Sequence, residues 1–210
     1  MAGTGYPVNL TVDYPDRKLN RLTTFFRIFM AIPIIIIIGL LVGTTFSKMG
    51  SHGGWNGTFA LNGIIVLPII FMLLVRKKYP RWWFDWNLAL TKFSTRISVY
   101  LGLLDDAYPS TDEEQSVHIK MNYPNAEKDL NRWLPLVKWI MAIPHYIVLV
   151  FLLIAVLVVE IIAWFAILFT GNYPRSLFDF FVGVNRWSLR VAGYAFILVT
   201  DKYPPFSLYE

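Results

Sequence analysis

The chain has 210 residues, of which 56% are hydrophobic and 16% are charged, with a net charge of +5 and a mean hydropathy of +0.49. Soluble domains carry roughly 25% charged residues, so this composition excludes an ordinary water-soluble domain. The absence of cysteine excludes a disulfide framework, a thiolate metal site and a cysteine nucleophile.

Two apolar segments in the first half have the length of transmembrane helices. Ile28 to Val42 and Phe59 to Val75 are almost wholly apolar, and the Gly- and Ser-rich segment Gly43 to Thr58 separates them. A bilayer core of about 30 Å takes around 20 apolar residues in a helix. The sequence therefore predicts two membrane spans joined by a loop, and residues 1–22 are too polar for a cleavable signal peptide.

Amphipathic helices are predicted after Tyr79-Pro80-Arg81 and after Tyr173-Pro174-Arg175. In both segments apolar residues recur at steps of three and four, opposite basic and acidic residues. An aromatic, basic and amphipathic helix is typical of one that lies in the membrane interface. The residues predicted to contact lipid or a partner are Trp82, Trp83, Trp86, Lys92, Arg96, Arg186, Trp187 and Arg190.

Four short segments have the composition of strands and precede a Tyr-Pro dipeptide, where helix is disfavoured. They could form a small cytoplasmic β-sheet that caps the helices. The segments are Val8 to Val12, Ser98 to Leu104, Val117 to Met121 and Ala192 to Thr200.

The apolar block Leu134 to Thr170 allows two interpretations. It holds no Gly, Asn or Pro after Pro144, so Pro144 could end a short helix and one long span could follow it. The other interpretation is a hairpin of two minimal helices with a tight turn near Leu152 to Val156. We favour the hairpin because it keeps the basic C-terminal region on the same side as the other basic segments.

Many short motifs occur twice in the same order, which predicts a tandem duplication. Repeat 1 covers residues 1–110 and repeat 2 covers residues 111–210, and two like units should meet about a pseudo-two-fold axis. The recurring motifs include Asp13-Tyr14-Pro15 with Asn122-Tyr123-Pro124, Leu19-Asn20-Arg21 with Leu130-Asn131-Arg132, Met30-Ala31-Ile32-Pro33 with Met141-Ala142-Ile143-Pro144, and Asp106-Ala107-Tyr108-Pro109 with Asp201-Lys202-Tyr203-Pro204.

The distribution of charge predicts the topology. Of the 19 Lys and Arg residues, only Lys48 falls between Gly43 and Thr58. The positive-inside rule therefore puts both termini in the cytoplasm. Together these patterns predict a mainly α, polytopic protein of the cytoplasmic membrane. It has about four transmembrane helices, two interfacial amphipathic helices and a small β-sheet.

The chain resembles a bacterial membrane family that is known only as a domain of unknown function. The resemblance rests on the segment Leu130 to Tyr146, on Leu177-Phe178-Asp179-Phe180, and on the ending Asp201 to Leu208. The first half departs from it, because Ile34 and Ile35 follow Ala-Ile-Pro where the second half has His145 and Tyr146. The resemblance implies a cytoplasmic membrane protein of bacterial type and no particular activity.

The residues predict no catalytic, cofactor or metal site. His52, His118 and His145 are isolated from one another, and no phosphate-binding loop or nucleophile motif occurs. The basic residues suit anionic headgroups, so membrane lipids are expected as partners and nucleic acid is not. Glu160 is the only carboxylate in the second apolar block. It is either a functional intramembrane acid or a wet residue near the predicted hairpin turn.

Two classes of function fit this sequence. The first is a non-catalytic membrane scaffold or accessory subunit that binds another membrane protein or a copy of itself. The alternative is a small transporter or lipid-handling protein that uses a cavity between the repeats. We expect the scaffold, because Asn62 and Glu160 are the only polar candidates at mid-membrane.

Overall fold

The computed structural model describes residues 5–42 and 70–209, with the side chains of residues 40–42 outside that description. The predicted loop Gly43 to Thr58 and most of the apolar segment Phe59 to Val75 lie outside the described residues. The described part of the chain is mainly helical with one small sheet. Its elements are β1 (Val8–Val12), α1 (Arg21–Val42), α2 (described over residues 70–76), α3 (Arg81–Leu101), β2 (Val117–Met121), α4 (Leu134–Met141), α5 (Ile143–Thr170) and α6 (Arg175–Ala195).

The sheet joins the beginning of the chain to its middle. β1 and β2 pair antiparallel, with Leu10 opposite Ile119 at the centre of the ladder. Alternation buries Val8, Leu10 and the matching residues of β2, and it exposes Thr11, His118 and Lys120 on the outer face. Two of the four predicted strands are confirmed.

The other two predicted strands are wrong. Ser98 to Leu104 and Ala192 to Thr200 contain the last turns of α3 and α6, followed by a tight turn. Leu103 and Leu198 adopt positive φ angles of 66° and 62° in those turns. The helical periodicity of each amphipathic segment continues to its end and overrides the strand propensity of the residues there.

The two amphipathic helices begin where the sequence predicts. Pro80 and Pro174 stand just before them in extended conformation, and an Arg is the first helical residue of each. Twelve of the 21 residues of α6 are buried in the protein, so the interfacial location of these helices stays a prediction. β1 covers one side of α6, where a Cβ on Gly193 would lie 3.0 Å from the Val8 side chain. α5 covers another side, where Leu149 clusters with Trp187.

Each strand packs on the amphipathic helix of the other half. β1 lies against α6 and β2 lies against α3. The Tyr14 hydroxyl donates to the Tyr173 carbonyl over 2.5 Å, and the Tyr123 hydroxyl donates to the Tyr79 carbonyl over the same distance. These bonds fasten the start of each amphipathic helix to a strand from the opposite half.

The predicted hairpin in the second apolar block is wrong. Residues 143–170 form one continuous helix, α5, and the break lies at Ala142, between α4 and α5. Pro144 stands in the first turn of α5, where its missing N–H needs no partner. After it, no residue favours a turn, and a turn among apolar side chains would leave backbone groups without partners. Continuous hydrogen bonding therefore outweighs the charge pattern that favoured the hairpin.

Two described helices are long and apolar enough to cross a membrane, judged by length and composition alone. They are α1 over Arg21–Gly39 and α5 over its full length. Only about a fifth of each apolar window is buried in the protein, so these helices expose extensive apolar surface, as in proteins that contact a membrane.

We expect Tyr14→Phe and Tyr123→Phe each to lower the free energy of unfolding by about 0.5–1.5 kcal/mol, the usual contribution of one intramolecular hydrogen bond. Each variant removes a bond between the halves and keeps the ring. Urea unfolding of the purified protein measures the loss, and Tyr209→Phe is the control because Tyr209 is exposed. If either variant loses no more unfolding free energy than Tyr209→Phe, its hydrogen bond does not hold the halves together.

Candidate functional site

In the described part of the chain, a cavity of about 960 Å³ lies between α1, α3 and α5. It therefore lies between the first half of the chain and the second. Its wall is mostly apolar, with a few polar groups at separate places. The polar and aromatic lining residues are Thr24, Arg27, Ser94, Ser98, Glu160, Trp164 and Phe165.

Glu160 lies half-buried in the wall of this cavity. It stands one helical turn before Trp164, whose indole N–H donates to the Thr24 carbonyl over 3.3 Å. Phe25 stacks on the Trp164 ring and holds α1 against α5. Within the part of the chain that the structure describes, the Glu160 carboxylate makes no hydrogen bond and no ion pair. Its oxygens are therefore available to a bound molecule.

Arg27 also borders the cavity, but its charge is already neutralised. Its guanidinium pairs with the Asp106 carboxylate at 2.6 Å and donates to the Asp105 carbonyl at 2.6 Å. The Tyr100 ring lies 4.4 Å from the guanidinium carbon. Arg27 is thus committed to the protein, which leaves Glu160 as the cavity's unpaired charge among the described residues.

Lys138 forms a second site, with the same kinds of contact as Arg27. Its ammonium pairs with Asp201 at 2.6 Å, donates to the Thr200 carbonyl at 2.8 Å, and lies 5.1 Å from the centre of the Tyr194 ring. Asn20 and Asn131 add a matching feature, because their backbone N–H groups donate to Asp106 and Asp201 respectively. Neither the Arg27–Asp106 pair nor the Lys138–Asp201 pair was predicted from the sequence, although both aspartates begin the repeated Asp-x-Tyr-Pro motif.

Lys138 is completely buried. Burial lowers the pKa of Lys138 from its ordinary value of 10.5, and the Asp201 carboxylate opposes that shift. Removing one partner of such a pair would leave an uncompensated buried charge. The pair is therefore a structural requirement of α4 and of the segment after α6.

The residues predicted to contact lipid or a partner separate into exposed and buried groups. Trp82 and Trp86 are 61% and 50% exposed on α3, so contact through them remains a prediction. Lys92 and Arg186 are partly exposed. The interfacial role predicted for the other four is corrected, because their side chains lie inside the protein. They are Trp83, Arg96, Trp187 and Arg190.

The buried arginines bind backbone carbonyls of this chain. Arg96 donates to Ser110 at 2.7 Å, and Arg190 donates to Tyr209 at 3.0 Å. Arg186 donates to the Leu10 carbonyl at 2.8 Å and to Leu208 at 3.1 Å. These bonds hold β1 and the C-terminal tail on α6. Amphipathic spacing alone cannot distinguish such interior arginines from interfacial ones.

His145 joins the C-terminal tail to α5 and α6. The Trp187 indole N–H donates to His145 Nδ1 at 3.1 Å, and the Phe206 ring stacks on the imidazole with centroids 4.0 Å apart. In the residues that the structure describes, no group of three or more His, Asp or Glu side chains could hold a metal ion. The imidazole is thus a packing centre for the tail.

Residues 133–207 match a family model described as a domain of unknown function (DUF4389). The matched region runs from the start of α4 into the C-terminal tail and includes the Lys138 site and the His145 cluster. It agrees with the sequence resemblance to a family without an assigned activity. No curated protein matches the chain significantly. No solved structure does so either.

We expect the free energy of unfolding to rise with pH in the alkaline range because of Lys138. The folded-state pKa is below 10.5, so between the two values the unfolded chain binds more protons, and stability increases as pH rises through that window. Lys138→Arg keeps a charge that does not titrate there, and it reproduces the residue type of the Arg27 site.

Urea unfolding from neutral pH to about pH 10.5, the ordinary lysine value, measures this effect. The difference in stability between the parent and Lys138→Arg should grow with pH. The other lysines and tyrosines titrate equally in both proteins and cancel. Parallel stability curves for the two proteins would show that burial does not control the charge of Lys138.

Proposed function

We propose that this chain is a non-catalytic membrane protein that binds an amphiphilic molecule in the cavity between α1, α3 and α5. The observation that carries the proposal is an apolar cavity with one unpaired carboxylate in its wall. This is the lipid-handling alternative of the sequence analysis. An apolar cavity with a carboxylate in its wall supports this alternative, whereas only exposed side chains support the scaffold interpretation.

The size of the cavity suits a small ligand. Sites for small molecules and cofactors usually have volumes of about 300–1,000 Å³ and mostly apolar walls with few polar groups. Ile28, Ile97 and Leu101 belong to the apolar lining, and they would bury the apolar body of the ligand. Burial of apolar surface would supply most of the binding free energy.

The polar part of the ligand should carry a positive charge. Glu160 can accept hydrogen bonds, and an ammonium group would neutralise it. Arg27 does not compete for Glu160 because Asp106 already binds the guanidinium. The Trp164 and Phe165 rings on α5 could also attract a cation through their π faces.

We expect Leu157→Trp to abolish retention of a co-purified amphiphile. Leu157 lines the cavity, and the larger side chain would occupy the space of the ligand. Leu153→Trp is the matched control, because Leu153 is also exposed on α5 but is not among the cavity residues. Native mass spectrometry of protein released from detergent micelles counts the bound molecules. A parent protein without ligand, or equal loading of both variants, contradicts the proposal.

Glu160→Gln should remove the preference for a cationic head group. With dodecylamine and dodecanol as probes, the parent should prefer the amine by about tenfold, since a hydrogen bond to a charged group contributes about 1.5–3 kcal/mol. The variant keeps the size and loses the charge, so its preference should fall towards one. Asp179→Asn, at an exposed acid outside the cavity, is the control. An unchanged preference in Glu160→Gln would exclude recognition by Glu160.

A second candidate function is the scaffold or accessory subunit. It is supported by Trp82 and Trp86, two exposed indoles one helical turn apart on α3, since exposed aromatic residues are typical of protein interfaces. The double variant Trp82→Ala/Trp86→Ala should then reduce the size of the complex in native membranes. Ala substitutions at the buried Trp83 would be unsuitable because they would disturb the fold.

The arrangement as two copies of one unit is also part of this proposal. It is supported by the recurrence of contacts at corresponding residues, from the two tyrosine bonds to the two buried cations. Both termini are proposed to lie on the cytoplasmic side, on the basis of the lysine and arginine distribution. The hairpin that would have given four spans is not retained.

A further inference from the structure

The apolar layer, defined as α1, α4 and α5, lies on one side of the molecule. Its outward side chains are large, hydrophobic and exposed along all three helices. α3 and α6 pack behind it, and the sheet packs behind them with polar residues on its outer face. The described part of the chain therefore has an apolar side and a polar side.

α5 contacts the rest of the protein along most of its length. Its buried residues form a single stripe from His145 through Leu149, Val156 and Ala163 to Ile167. This stripe spans about 33 Å of helix axis, which is close to the thickness of a bilayer core. If α5 crossed a membrane, the elements packed on the stripe would lie at hydrocarbon depth.

α1 and α5 run in opposite directions. Arg21 at the start of α1 donates to the Phe169 carbonyl near the end of α5, and Thr24 accepts from Trp164 farther along. The motif Met30 to Pro33 in α1 corresponds to Met141 to Pro144, which joins α4 to α5. Corresponding helices are thus antiparallel, so the two-fold axis that relates them is perpendicular to both.

The same axis passes through the sheet. Leu10 and Ile119 are corresponding residues and stand opposite each other at the centre of the β1–β2 ladder. If the helices crossed a bilayer, the axis would lie in the membrane plane and the sheet would lie at mid-depth. Exposed Lys120 and His118 would then face hydrocarbon, where polar and ionisable side chains are costly.

Basic residues flank both ends of the apolar layer. Arg17, Lys18 and Arg21 are exposed where α1 begins beside the end of α5. At the opposite end, exposed Arg132 shares a hollow with Lys77. Helices that crossed a membrane would place these two groups on opposite sides, against the positive-inside rule. Helices parallel to the surface would place both groups at the headgroups of one leaflet.

We propose that α1, α4 and α5 lie in the plane of one anionic leaflet, with the apolar layer in the acyl region and the sheet in water. The two-fold axis is then parallel to the membrane normal. This orientation leaves no polar element of the described fold in hydrocarbon. It does not depend on whether the cavity holds an amphiphile.

Depth measurements at three positions on α5 test this orientation. Ile147, Ile154 and Ile161 are 56%, 55% and 59% exposed, lie on one helix face, and span about 21 Å of helix axis; Ile161 also borders the cavity. Because the chain has no cysteine, Ile147→Cys, Ile154→Cys and Ile161→Cys can each carry one fluorophore. The full-length variants are placed in vesicles of phosphatidylcholine and phosphatidylglycerol, and nitroxide lipids of known depth quench the fluorophore.

We expect the three positions to have the same depth, about 5–10 Å into the boundary between headgroups and acyl chains. Thr11→Cys, on the outer face of the sheet, is the control and should show no quenching by lipid. Unequal depths, with position 154 much nearer the bilayer centre than position 147, would establish a crossing helix and overturn the proposal. Absence of quenching at all three positions would show that a protein covers this face, and it would overturn the proposal as well.

If any isoleucine variant fails to fold, Phe151→Cys and Val158→Cys provide a second pair. Both residues are exposed on α5 outside the cavity, at 68% and 53%, and they lie about 10 Å apart along the axis. Equal depths at this pair support the in-plane orientation. Unequal depths contradict it independently of the first set.

Discussion

The exchange of strands between the halves determines the rest of the architecture. β1 pairs with β2 and covers α6, while β2 covers α3. Because each amphipathic helix is enclosed by a strand from the other half, neither half can bury its own apolar face alone. The tyrosine bonds from Tyr14 and Tyr123 fasten this exchange at the two Tyr-Pro turns. α6 in turn packs on α5 and α3 packs on α1, so the amphipathic helices lie between the strands and the long helices.

Two buried cations then connect the apolar layer to the polar part of the fold. Arg27 on α1 and Lys138 on α4 each reach an aspartate that follows an amphipathic helix. Burying an unpaired charge would cost several kcal/mol, so each aspartate is needed once its cation is buried. The carbonyls of Asp105 and Thr200 take further hydrogen bonds from the same cations. Long apolar helices are thereby held at a fixed register without polar residues on their outer faces.

Local structure follows from the sequence more directly than packing does. Proline before arginine placed the starts of α3 and α6, and strict alternation placed β1 and β2, because these signals depend on neighbouring residues alone. The hairpin within α5 and the interfacial position of Arg190 were wrong for a common reason: both depend on what covers a helix. A buried arginine that donates to Tyr209 and an interfacial one have the same spacing in the sequence. The cavity could not be predicted from the sequence, because α1 and α5 are distant in the chain.

Side chains that recur at corresponding positions in both halves have a different role from those that occur in only one half. Tyr14 and Tyr123, like Arg27 and Lys138, repeat with their contacts, and every such pair joins elements of the fold. Glu160 has no such counterpart, since Val66 stands at the corresponding distance before Tyr79-Pro80. A carboxylate in an apolar wall stabilises no described contact and costs free energy by its burial. A residue that destabilises the fold and occurs in only one half is best explained by binding, which is why the cavity beside Glu160 is the functional site that we propose.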